Sequence, residues 1–161
     1  MKSELQKKIT KQRVEAAEFA KLKAAEKVME QDAESAIEYG VNYLKSAKAA
    51  FMTTPRRFDN DLIYNIISIS FEQLMVGLLA HHDWIASSHL PLMLYREALP
   101  FEPEMGDEIK RTAILIGSFE GICSIEDFGY KTPTDEELAR MVEGLEELWR
   151  FIEARVSDTN S

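Results

Sequence analysis

Cysteine is almost missing. A single thiol, Cys123, in 161 residues leaves no partner for an internal disulfide and no thiolate framework for zinc, which fits a reducing compartment. No basic residue lies close to it in the chain, so it reads as an inert thiol. Glycine (7) and proline (5) are scarce. There is no glycine-rich loop to cradle phosphate and no nucleophile elbow. No apolar run reaches the ~18 residues of a membrane span. The opening MKSELQKKITKQR has neither the apolar core nor the cleavage pattern of a secretory leader, and a cytoplasmic location is the expectation. Alternating strand patterns and internal repeats are also missing.

What remains is an ordinary globular composition, 45% hydrophobic and 29% charged, in a chain long enough for one self-sufficient core. The net charge of −9 is unevenly spread. Residues 1–30 carry eight Lys/Arg against five acids, whereas residues 102–161 carry six against fifteen. An acidic body disfavours nucleic acid, because it offers little basic surface to displace counterions from a phosphate backbone. The basic first segment interleaves Lys with Glu, the pattern of a solvated helix face.

Helical signals run nearly throughout. Residues 3–30 are rich in Ala, Glu, Lys and Gln and lack Gly and Pro, with a thin apolar seam at Leu5, Ile9, Ala16 and Phe19 that suits a coiled coil, an arm across a partner or a half-ordered end. From Asp32 a broader stripe (Ala33, Ile37, Val41, Leu44, Phe51) marks a core-facing helix, ended by Pro55. Asp59 or Asp61 caps a very apolar helix reaching about His82, in which Gly77 costs up to ~1 kcal/mol relative to Ala unless a second helix approaches closely. Ser87 or Ser88 opens a short helix to Leu99, with Pro91 in its first turn. A further helix runs from about Glu104 to Gly121, and a loop with Phe128, Gly129 and Tyr130 follows. Thr134 and Glu137 form a capping box for the last helix, whose apolar residues Leu138, Met141, Leu145, Leu148 and Ile152 recur at helical spacing. The expected fold is all-α: an antiparallel four- to five-helix up-and-down bundle over residues 32–156, with a charged helical extension at 1–31 and a disordered tail from Ser157 to Ser161.

Few polar groups interrupt the oily segments. Glu72 sits on the most apolar helix, where a carboxylate must be paired or lie at an interface. His81, His82 and His89 invite a metal, but adjacent histidines diverge by about 100° on a helix and no Glu-x-x-His occurs, so neither metal nor cofactor is expected. His81 and His82 read as helix-terminating residues. Arg56 and Arg57 open a loop and offer a phosphate contact, and Arg96 joins Glu72 and His89 as a candidate lining a groove or interface.

In order along the chain, these segments resemble the HEPN (higher eukaryotes and prokaryotes nucleotide-binding) family. Ala36 to Phe51 (AIEYGVNYLKSAKAAF) looks like its first helix and Ser70 to Leu79 (SFEQLMVGLL) like its second. Ser88-His89 with Leu90, Leu92 and Leu94 resembles the element opening the third helix. The aromatic loop and residues 134–152 resemble its end. The likeness covers about residues 32–155. Ribonucleases of the family carry an Arg four to six residues before a His, and none of the three histidines here has one. Cleaving RNA without a metal needs a proton carrier and a cation for the phosphorane charge, so nuclease activity is not carried over. The resemblance implies a homodimeric accessory protein that binds nucleotide or partners a nucleotidyltransferase. The alternatives are a ribonuclease or nucleotide-processing enzyme using Glu72 and His89 in an atypical site, and a helical scaffold acting through its N-terminal seam.

Overall fold

The computed structural model describes residues 3–120 and 131–159, with residues 22–31 described by backbone alone. Five helices make up the fold among the described residues: α1 (Glu4–Met52), α2 (Asn60–His81), α3 (Pro91–Ala98), α4 (Asp107–Gly117) and α5 (Asp135–Thr159). The all-α bundle expected from periodicity is what the chain adopts.

The helix boundaries follow local chemistry. Ser3 and Gln6 form a reciprocal capping box at the start of α1. Asp59 accepts from the Leu62 amide at 2.8 Å to cap α2. The Thr134–Glu137 box opens α5, each side chain bonded to the other's backbone amide. At the end of α2, the Trp84 amide reaches back to Leu79 O and the Asp83 amide to Ala80 O, while Asp83 adopts φ 58°. That is a left-handed helix stop in which Asp takes the place usually held by Gly.

Several expectations are corrected. The N-terminal segment and the first core helix form one continuous helix of 49 residues. The change at Asp32 alters which face is apolar, but no residue there breaks the backbone hydrogen-bond ladder. Among the residues with described side chains, 3–21 are exposed and Ala33 is the first that is buried. Helix α3 starts at Pro91 rather than at a serine: Ser88 Oγ accepts from the Leu90 amide, and Pro91 needs no amide partner in the first turn. Helix α4 is shorter at both ends than expected. Helix α5 continues to Thr159, past Ser157 where disorder was expected, because Val156 still packs on the core and no breaker intervenes. Most of the aromatic loop expected before Thr134 lies outside the described residues. Among the described residues, α2 is long and apolar enough by length and composition to cross a membrane, unlike what the uninterrupted runs indicated. Its Ile63, Ile67, Phe71, Leu74 and Leu78 are wholly buried in the bundle, as befits a central core helix.

Named contacts fix the topology. Ser70 Oγ donates to Gly40 O at 2.7 Å, and Gly77 lies against Ala33 and Ile37, so α1 and α2 run antiparallel at very short separation. Gly144 of α5 meets Thr112 of α4, and Asn60 of α2 is tied to Pro133 O at 2.8 Å. Helices α1, α2, α4 and α5 therefore alternate up and down, and α3 bridges one end. The core between them is Ile63, Ile67, Phe71, Leu74, Met141, Leu145 and their neighbours. Its polar groups are satisfied: Tyr64 donates to Ile116 O at 2.7 Å, and no buried side-chain polar atom lacks a partner among the described residues.

Candidate functional site

Helix α2 is central, yet one of its faces is not covered. Leu62, Asn65 and Ile69 are exposed, and Ile66, Glu72, Gln73 and Val76 are half-buried. At three- and four-residue spacing these form a single outward stripe. A helix apolar on nearly all sides belongs inside a protein or against a partner, so an open apolar stripe on it marks an interaction surface.

Glu72 and His89 meet within this stripe. His89 Nδ1 lies 2.6 Å from Glu72 Oε1, the imidazole 83% exposed and the carboxylate 32%. The turn after α2 brings them together, since the left-handed step at Asp83 reverses the chain and returns residues 87–90 alongside the middle of α2. An ion pair this open to water contributes ~0–1 kcal/mol at most, so stability alone is a weak reason for it. One turn before Glu72 on α2, Ser68 donates to Glu120 Oε1 at 2.8 Å. Burial, and then the negative charge of Glu72, push the Glu120 carboxyl above its usual range, while the Ser68 hydrogen bond partly opposes them. Two acids and an imidazole thus share one side of α2.

The arginines do not join them. Arg56 is committed at the far end of the bundle, where its guanidinium donates to Asn60 Oδ1 and Asp135 Oδ1, each at 2.7 Å, and stacks over Phe51. The hydrogen bond from Arg56, and then the one from Asn60 at 3.0 Å, hold the Asp135 carboxyl below its ordinary value. Arg56, a candidate phosphate contact from sequence, is thus already engaged by a carboxylate. Arg57 and Arg96 are exposed, and neither pairs with Glu72, whose partner is His89. Of the five residues singled out from sequence, two converge, one is consumed by a structural tie and two stand in solvent.

A second polar cluster was not foreseen. Glu102, only 8% exposed, receives His82 Nε2 at 2.8 Å and Arg155 Nε at 3.0 Å. Arg155 also binds Glu104 at 2.7 Å, and the ring of His82 stacks on Phe101 at 5.2 Å. These bonds lock the α3–α4 connection to the ends of α2 and α5, which is a structural task. Glu102 sits in a short Pro-flanked loop and carries no sequence signal of burial. His82 does end α2, as expected, but it spends its ring on this cluster. Between α1 and α5 an open groove of about 350 Å³ is lined by Val41, Leu44, Trp149 and others. The Lys48–Glu146 pair at 2.9 Å crosses it, and none of the candidate residues lies there.

Among the described residues, no group of three His, Cys, Asp or Glu is placed to hold a metal. No protein-family model, curated protein or solved structure matches the chain. The functional reading therefore rests on the geometry of α2's open stripe and its Glu72–His89 pair.

Proposed function

We propose that this chain is a non-catalytic, HEPN-like accessory protein of the cytoplasm, a homodimer whose working surface is the outward stripe of α2. The observation that carries this reading is the stripe itself: Leu62 and Ile69, exposed on the most apolar helix beside the half-buried Ile66 and Val76, with Glu72 and His89 supplying one oriented polar contact at its middle. Apolar area gives association its drive, and a fixed polar pair gives it register. Among the described residues no Lys or Arg pairs with Glu72 or stands beside His89, so phosphorane charge would go unstabilised. A nucleotidyltransferase is the kind of enzyme such a subunit would serve. Nucleotide affinity would use Arg57 and Arg96, whose guanidiniums pair with no carboxylate among the described residues.

Sedimentation equilibrium of Ile69→Glu against the parent chain tests the surface: loss of association is expected, and unchanged association would refute it. Calorimetry with ATP, GTP and oligonucleotides at millimolar concentration tests the nucleotide component, which the absence of heat would remove.

One observation favours a second reading. A carboxylate on Nδ1 leaves His89 Nε2 free to carry a proton, the arrangement used to orient a general base. A ribonuclease or nucleotide-processing enzyme built on this dyad would digest RNA without added metal and lose that activity in His89→Gln. Intact RNA after prolonged incubation would end this reading.

A further inference from the structure

The long first helix poses a problem that its own bundle cannot solve. Leu5, 68% exposed, and Ile9 lie on the same seam as Ala16. Because α1 is unbroken from Glu4 to Met52, this arm cannot fold back onto the body from which it projects, and any surface that covers its seam must come from another molecule.

The same chain carries a surface of matching length, polarity and charge. On α1, Tyr39 and Tyr43 are exposed and by helical phase lie opposite Val41, Lys45 and Lys48, which face α5, so they fall on the side of α1 that borders the stripe of Leu62, Ile69 and Val76. From Asp32 to Met52 of α1 and along all of α2 there are five acids (Asp32, Glu34, Glu38, Asp61, Glu72) against two bases, Lys45 and Lys48, and both bases line the groove that faces α5. The arm has the opposite balance: Lys7, Lys8, Lys11, Arg13 and Lys21 outnumber Glu4, Glu15 and Glu18. Residues 4–21 measure about 27 Å at 1.5 Å per residue, against about 33 Å for α2, so they cover most of the face.

We infer that the occupant of this face is the N-terminal arm of a second copy of the chain. Two molecules related by a two-fold axis, with their α1 helices antiparallel, each lay residues 4–21 along the partner's α1–α2 face. This arrangement closes on itself, satisfies both surfaces twice and leaves neither seam in water. Basic flanks meet acidic rims, and Leu5 and Ile9 enter the stripe around Ile69. The inference deepens the proposal that the α2 stripe is a binding surface and rests on it.

The test uses the full chain with Cys123→Ser. One preparation carries Ile9→Cys and another Ile69→Cys. Mixed and oxidised, they are expected to give a disulfide-linked heterodimer faster than either alone. Leu5→Glu/Ile9→Glu is expected to weaken self-association by on the order of 100-fold or more, while at dilutions where both chains are monomeric the variant and the parent should share one thermal midpoint, because Leu5 and Ile9 are exposed on their own bundle. Linkage of Ile9→Cys chains chiefly to one another would overturn arm exchange in favour of an arm–arm coiled coil. Self-association abolished by Ile69→Glu but untouched by the arm variant would overturn it while leaving the α2 stripe as a binding surface. Insensitivity to both variants would sink the two together.

Discussion

Replacing Gly40 by Ala is expected to destabilise the protein, although the same change elsewhere in a helix stabilises it. Within α1 the substitution recovers up to ~1 kcal/mol of helix propensity. The new Cβ, however, would lie 2.6 Å from Leu74 Cγ, 2.8 Å from Leu74 Cδ2 and 3.0 Å from the Leu74 backbone nitrogen. Leu74 is wholly buried, so its side chain cannot swing aside, and the backbone contact forces the two helices apart. Separation also stretches the Ser70–Gly40 hydrogen bond. Overpacking of this kind costs about 1–3 kcal/mol, leaving a net loss of about 0–2 kcal/mol. Gly117 is the internal control: it ends α4, and nothing lies within 4 Å of a Cβ built there, so Gly117→Ala should gain up to ~1 kcal/mol. Urea unfolding of both variants, read at constant slope, separates them. Equal stabilisation by the two substitutions would show that α1 and α2 do not approach as closely as described, and the topology built on that contact would fall with it.

Asp83→Gly should raise stability by ~0.5–1 kcal/mol in thermal unfolding, since it relieves the left-handed conformation at φ 58°; a loss would mean that the Asp side chain itself holds the turn. Glu102→Ala should cost about 2–3 kcal/mol, less than a fully buried pair because His82 and Arg155 keep some solvent, and a cost near zero by chemical denaturation would refute the locking role. Glu120 has its carboxyl raised, so the folded state holds that proton more tightly than the unfolded chain. Its contribution is favourable at low pH and declines as pH climbs from about 4 through the raised native value. Glu120→Gln should flatten that decline in a series of melting curves, and an unchanged pH profile would contradict the burial argument. Asp135 has the opposite sign: Arg56 and Asn60 lower its carboxyl, so the stability it supplies is present above the unfolded value and lost as pH falls through the lowered native one. Asp135→Asn should remove that acid-side loss, and its persistence would count against the tie.

Much of the architecture could be read before any coordinates, because its causes are local. Apolar residues every three to four positions define α2 and α5. Asp59, and Thr134 with Glu137, satisfy amides within three residues of themselves, and Gly77 announced a close helix approach. Glu72 stood out because an acid on so apolar a helix requires an explanation. The continuity of α1 is harder to see, since the change from a thin seam to a broad stripe at Asp32 resembles a break although the backbone ladder ignores it.

Sequence by itself therefore determined the all-helical character, most helix starts and the oddity of Glu72 and His89, since hydrogen bonds within a turn and the burial of one helix face depend on residues a few positions apart. Only the tertiary structure decided which charges meet. Glu72 found His89 seventeen residues on, Arg56 was taken by Asp135 seventy-nine residues away, and Glu102 became the buried anchor for His82 and Arg155. The physical reason is range: an ion pair is set by where packed helices place their ends, and that placement is a property of the whole core rather than of any segment.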